Sequence, residues 1–106
     1  MALRIVLKPA VADDLRQIID YLDQHNVDAS DRWLQAVFAA LEDLAQMPGK
    51  GSPKRYRTKQ LEGVRSWLVP GFRNYVIFYQ ASDEALTVLG VVHGARDVRK
   101  LLRGRR

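Results

Sequence analysis

The spacing of the hydrophobic residues changes near Pro48-Gly49, and this change constrains the fold more than any other feature of the sequence. Before this point the apolar residues recur every three or four positions, as on one face of an amphipathic helix. After it they fall into short runs separated by Pro-Gly or polar turn residues, as in strands. A chain that places its helices before most of its strands favours an α+β fold.

The first part of the chain predicts one strand and two helices. Residues 3–7 are apolar and partly β-branched, which suits a strand. A helix should begin at Pro9, where a missing N–H costs nothing, and a second one after Asn26, a suitable N-cap. The short loop between them favours an antiparallel helical hairpin. The residues expected to face the core are Val11, Leu15, Ile18, Leu22, Ala29, Trp33, Val37, Ala40, Leu41 and Leu44.

The second part predicts a basic loop followed by a sheet. Residues 49–60 are rich in Gly, Pro, Lys and Arg, which is typical of an exposed loop, and an edge strand is expected from about Tyr56 to Leu61. Three further strands are expected at residues 64–69, 74–81 and 86–92. Their short connections favour an antiparallel meander. A short C-terminal helix should follow, with Asp97 as its N-cap and Val98, Leu101 and Leu102 against the core.

The composition fits a single domain over residues 1–106. A chain of 106 residues that is 47% hydrophobic can bury one core. It has no cysteine and two histidines, so we expect neither a disulfide framework nor a metal site, and no cofactor. Arg4 and Lys8 interrupt the apolar start, and no apolar run is long enough to span a membrane. A cytoplasmic protein without membrane contact is therefore expected.

Positive charge is concentrated in the second part. Residues 1–48 hold four Lys or Arg and eight Asp or Glu, whereas residues 49–106 hold thirteen and four. A field of this sign attracts anionic partners such as nucleic acid or acidic protein segments. The tail from Arg96 to Arg106 carries six basic residues against Asp97 alone, and we interpret it as an interaction segment. The shorter basic run from Lys50 to Lys59 is interpreted as a solvated loop.

Several short motifs match one family in the same order along the chain. The most specific is the strand Tyr75-Val76-Ile77-Phe78-Tyr79 followed by His93-Gly94-Ala95-Arg96-Asp97; the others are Asp14-Leu15, Ile18, Tyr21-Leu22, Ala29, Trp33, Leu44, Pro48 and Gly63-Val64-Arg65. On these residues the chain resembles the ParE branch of the RelE/ParE toxins of bacterial type II toxin-antitoxin systems. The resemblance implies a helical hairpin packed on an antiparallel sheet. It also implies a cognate antitoxin, ParD-like or of another kind, bound in a toxin-antitoxin hetero-oligomer.

The resemblance leaves two activities open. ParE toxins poison DNA gyrase, whereas RelE toxins cut messenger RNA on the ribosome with cationic and proton-transfer groups and no metal. Arg96 matches one RelE arginine, but Val76 and Leu102 stand near the positions of another arginine and of a tyrosine. We therefore expect a gyrase poison that is not an enzyme and has no catalytic residue. A RelE-type endoribonuclease and a non-toxic relic that only binds its antitoxin are the alternatives.

The candidate binding residues form two groups. The basic tail predicts contacts with the target, DNA gyrase, and its residues are Arg96, Arg99, Lys100 and Arg103. Aromatic and basic residues of the sheet region are expected to contact the antitoxin, and these are Trp67, Phe72, Arg65 and Arg73. His93 and Asp97 are assigned structural roles, as a hydrogen-bonded residue at a strand end and as a helix cap.

Overall fold

The structure is a computed structural model that describes residues 2–94 and Leu102. The first elements are strand β1 (Arg4–Leu7) and helices α1 (Pro9–Asp23) and α2 (Val27–Gln46). The remaining strands are β2 (Ser52–Pro53), β3 (Arg65–Val69), β4 (Phe72–Ala81) and β5 (Ala85–His93). Two short 3-10 helices lie at Pro48–Lys50 and Lys59–Leu61.

The five strands form one sheet in the order β1-β5-β4-β3-β2. Strands β3, β4 and β5 are the predicted antiparallel meander. Strand β1 joins β5 in parallel, with Arg4 opposite Ala85 and Leu7 opposite Val88. The α+β class is confirmed, and the parallel pair makes the sheet mixed rather than wholly antiparallel.

Local signals fix the ends of the helical hairpin as predicted. Pro9 occupies the first turn of α1, where it leaves no backbone donor unpaired. The Asn26 side chain caps α2 by accepting a hydrogen bond from the N–H of Asp28 at 2.9 Å. Helix α2 ends at Gln46, just before Pro48. In the described part of the chain, neither helix has the length and apolar character that a membrane span requires.

Both faces of the sheet are covered. The hairpin packs on one face, where the predicted core residue Trp33 is fully buried with Ile77, Tyr79 and Val88. On the opposite face a second cluster contains Leu61, Val64, Phe78, Leu89, Val92 and Leu102. Strand β5 contributes to both clusters, which explains why its sequence is almost continuously apolar instead of alternating.

The edge strand predicted from Tyr56 to Leu61 is wrong. The segment ends in the 3-10 helix Lys59–Leu61, and Leu61 is buried in the second cluster. Tyr56 and Leu61 lie five positions apart with no apolar alternation between them, so the segment has no face to lay on a sheet. The edge position is taken by Ser52–Pro53, which pairs with Ser66 and Arg65 of β3.

The predicted C-terminal helix lies outside the described residues, apart from Leu102. Leu102 is helical and buried in the second cluster, as its apolar character predicts. Asp97, proposed as the cap of this helix, belongs to the part of the chain that is not described.

Candidate functional site

A groove of about 390 Å³ runs along the outer edge of the sheet beside β3. Strand β2 covers only Arg65 and Ser66, and no other described strand pairs with β3 on that side. The uncovered N–H and C=O groups of such an edge can pair with an extended segment of another chain. We call this the edge groove; its lining residues are Ser52, Ser66, Trp67, Leu68, Val69, Pro70, Gly71 and Arg73.

Two of the four residues predicted to contact the antitoxin line the edge groove. Trp67 is half-buried against the hairpin cluster, and the Lys50 ammonium lies 5.0 Å from the centre of its ring. Arg73 is exposed at the start of β4. Phe72 packs against the core without lining the groove. The groove therefore combines an aromatic surface with the Arg73 cation, and the Lys50 cation lies beside it at the Trp67 ring. This combination suits a segment with both apolar and acidic residues.

Arg65 lies next to the edge groove and holds the chain that follows α2. Its Nη1 donates hydrogen bonds to the carbonyl oxygens of Gly51 at 2.7 Å and Gly49 at 3.2 Å. These contacts give Arg65 a scaffold role that the sequence does not suggest. Its contact with an antitoxin stays a prediction.

Tyr79 makes a second attachment to the same segment, a role that the sequence does not reveal. It is fully buried, and its hydroxyl donates to the Pro48 carbonyl at 2.7 Å while accepting from the Gly51 N–H at 2.9 Å. Burial raises the pKa of Tyr79, although the Gly51 hydrogen bond and the Arg65 charge oppose the shift. The hydroxyl therefore stays protonated near neutral pH and remains a donor. We call the contacts of Arg65 and Tyr79 the loop anchor.

A larger groove, of about 500 Å³, lies between α1 and the ends of β4 and β5. Its lining residues are Asp14, Gln17, Ile18, Tyr21, Leu22, Asn74, Tyr75, Val91, Val92 and His93. Asp14 is buried, and its carboxylate accepts a hydrogen bond from the Val91 N–H at 3.1 Å, which ties α1 to β5. No role for Asp14 was assigned from the sequence, because its neighbours Asp13 and Arg16 are exposed and polar.

His93 ends β5, where the sequence places it. Its ring lies edge-on to Tyr75, with 5.5 Å between ring centres, and Tyr75 contacts Trp33 in the same way at 5.5 Å. This aromatic row joins the end of β5 to the core under the hairpin. Among the described residues, no group of three or more His, Asp or Glu side chains is placed to hold a metal ion.

Val76 and Leu102, the two positions that the sequence comparison with RelE singles out, both have apolar surroundings. Val76 is half-buried against the second cluster, and Leu102 is one of its buried members. Both positions therefore hold packed hydrocarbon side chains. The target-contact residues Arg96, Arg99, Lys100 and Arg103 lie outside the described residues, so their roles stay predictions.

Comparisons with known proteins agree with this fold. A sequence model of the family described as the ParE toxin of the type II toxin-antitoxin system parDE matches residues 5–98. No curated protein gives a significant match. A solved structure titled "Chromosomal ParDE TA system from P. aeruginosa" is similar at a TM-score of 0.68 and 15% identity, covering 87% of this chain and 96% of that chain. At this identity the likeness shows the fold. Because the family match spans most of its length, the chain belongs to the ParE toxin family of type II toxin-antitoxin systems.

Proposed function

We propose that this ParE-family chain poisons DNA gyrase and does not cleave RNA. The observation that carries the proposal is the apolar cluster that contains Leu102 and against which Val76 packs. Metal-free cleavage of RNA needs charged groups at the scissile phosphate and a group that transfers protons. Packed hydrocarbon side chains supply neither. A toxin that lacks these groups at the two positions is expected to act by binding its target, and gyrase is the target that the family resemblance implies.

The basic tail is the proposed contact with gyrase and the DNA that it cleaves. Leu102 is buried in the second cluster, so the segment is attached to the sheet at this residue. Arg99, Lys100 and Arg103 lie next to Leu102 in the sequence, and because they are charged we expect them to face away from the apolar cluster. Exposed charges of this kind change the free energy of unfolding by no more than about 0.5 kcal/mol each. Toxicity and stability should therefore be separable in this segment.

Replacing Arg99, Lys100 and Arg103 together by alanine should reduce gyrase poisoning at least about tenfold, a loss of about 1.4 kcal/mol in target binding. The measurement is the amount of linear plasmid that gyrase and toxin produce from supercoiled DNA, together with the melting temperature and the antitoxin affinity. The native chain should yield linear DNA, and added antitoxin should prevent it. The triple variant should fold and bind antitoxin as the native chain does.

The control for this experiment is Leu102→Ala, which removes a buried side chain and keeps every charge. It should lower the melting temperature, because truncating a buried leucine costs about 2–5 kcal/mol. Full DNA cleavage by the triple variant would assign the three charges to a solvated tail. Codon-dependent cutting of messenger RNA on programmed ribosomes would replace the gyrase proposal with the ribonuclease alternative.

We also propose that the antitoxin places an extended, acidic segment in the edge groove. The uncovered edge of β3 offers backbone hydrogen bonds, and Leu68, which is 42% exposed, offers an apolar contact. Lys50 and Arg73 supply positive charge beside the aromatic surface of Trp67. An antitoxin strand with alternating apolar and acidic residues fits both features.

Arg73→Glu should weaken antitoxin binding about tenfold, or about 1.4 kcal/mol, because it places a negative charge beside the acidic segment. The matched control is Arg32→Glu, which reverses the charge of an exposed arginine on α2. The measurement is the dissociation constant by calorimetry at low and physiological salt. The loss for Arg73→Glu should shrink as salt screens the repulsion. Equal effects of the two substitutions would remove the edge groove from the antitoxin interface.

A further inference from the structure

A second basic surface, separate from the tail, is formed by the chain between α2 and β3. Its five cations are all exposed: Lys50, Lys54, Arg55, Arg57 and Lys59. The sequence contains no acidic residue between Asp43 and Glu62. In the part of the chain that the structure describes, Arg16 and Asp13 form an ion pair, and none of these five cations joins one. We call residues 50–59 the basic loop.

The basic loop is held in place at several points along its backbone. The loop anchor of Arg65 and Tyr79 fixes its start at Gly51. The Lys54 N–H donates to the Val64 carbonyl at 2.8 Å. Just after the loop, the Gln80 Nε2 donates to the carbonyl oxygens of Gln60 at 2.9 Å and Glu62 at 2.8 Å. These attachments fix the path of the backbone, while the five cations stay exposed to solvent.

The surface of the basic loop lacks the features that anchor a protein partner. Its one aromatic residue, Tyr56, is half-buried against the second cluster, and the large apolar side chains that are exposed elsewhere do not occur in residues 50–59. Protein interfaces gain most of their affinity from buried aromatic or apolar anchors. A phosphate backbone needs only cations on a surface of fixed shape.

We propose that the basic loop binds the phosphate backbone of duplex DNA. The positive charge of the basic loop and its fixed polypeptide backbone favour a nucleic acid as the partner, whatever the target of the toxin is. The choice of duplex DNA rests on the proposed gyrase function, because gyrase holds duplex DNA while it is poisoned. The loop then contacts DNA next to the enzyme, and the toxin bridges the two.

The salt dependence of binding measures this contact directly. Each phosphate that is neutralised contributes about −0.9 to the slope of log affinity against log salt. Neutralising three loop cations should therefore make the slope shallower by about 2.7. Between about 50 and 200 mM salt, the native chain should lose about 40-fold more affinity than the neutralised variant. The comparison subtracts any contribution of the basic tail, which both proteins keep.

The experiment is fluorescence anisotropy of a short labelled DNA duplex with the full-length chain, in the absence of gyrase. The loop variant is Lys54→Gln, Arg55→Gln and Arg57→Gln. The control variant is Arg4→Gln, Arg16→Gln and Arg32→Gln, which removes three exposed positive charges from other parts of the chain. The loop variant should show the shallower slope, and the control variant should keep the native slope.

Three results would overturn the proposal. The first is no DNA binding by the native chain, and the second is equal slopes for the two variants. The third is displacement of the DNA by polyglutamate at a concentration too low for it to compete simply as a polyanion. The last result would assign the loop to an acidic protein. Because the assay contains no gyrase, its failure leaves the gyrase proposal standing. Conversely, DNA binding without gyrase-dependent cleavage would overturn the proposed target and leave the loop contact intact.

Discussion

Replacing Gly51 by alanine should destabilise the fold by about 2–4 kcal/mol, the range expected for overpacking combined with strained buried hydrogen bonds. Gly51 has φ −71°, which any residue adopts, so the restriction is one of space. A Cβ atom here would collide with the Tyr79 hydroxyl and lie 2.8 Å from Tyr79 Cε1 and 2.9 Å from the Ser66 carbonyl oxygen. Tyr79 is fully buried and the Ser66 oxygen belongs to β3, so neither can move away cheaply.

Gly49→Ala is the matched control, because a Cβ at this position has no atom within 4 Å. Its free energy of unfolding should stay within about 0.5 kcal/mol of the native value. Tyr79→Phe removes the hydroxyl, so its effect and that of Gly51→Ala should combine to less than their sum. Urea denaturation of the native chain, the three single variants and the Gly51→Ala/Tyr79→Phe double variant measures these differences. A Gly51→Ala protein as stable as Gly49→Ala would show that the loop anchor does not hold the chain at this point.

The positions of the helices and of the main strands are predictable because their signals are local. Pro9 and Asn26 begin the two helices through backbone geometry and side-chain capping that involve only near neighbours. The error at residues 56–61 has the opposite origin. The path of that segment depends on Gln80, whose side chain donates to the Gln60 carbonyl oxygen, and on the burial of Leu61 in the second cluster. Both contacts involve residues that lie far away in the sequence. No local pattern contains this information.

The candidate site is predictable to the same limited extent. Trp67 and Arg73 are recognisable as an aromatic and a cation on a sheet, and the fold places both at the edge groove. Asp14 shows what the sequence hides, because on α1 it resembles a solvated acid. Only the tertiary fold brings its carboxylate to the Val91 N–H, 77 positions along the chain. The basic loop is visible in the sequence as charge, but its fixed backbone is not.

Trp33→Ala should have the largest effect of any single substitution considered, a loss of about 3–5 kcal/mol in the free energy of unfolding. Trp33 is fully buried under the hairpin, and its ring meets Tyr75 edge-on at an interplanar angle of 66°. Removing it opens a cavity between α2 and the sheet and takes away the core end of the aromatic row that runs through Tyr75 to His93. Urea denaturation of the purified chain measures the loss.

Trp33→Phe distinguishes the stability that the Trp33 ring gains by packing from the cost of burying its indole N–H. The indole Nε1 is buried, and no described residue accepts its hydrogen bond. An unpaired buried donor costs about 1–3 kcal/mol, so its removal offsets part of the lost volume. We expect Trp33→Phe to cost no more than about 1.5 kcal/mol and to keep native affinity for antitoxin and DNA. If Trp33→Ala were nearly as stable as the native chain but lost DNA binding, Trp33 would be a base-stacking residue and its assignment to the core would be wrong.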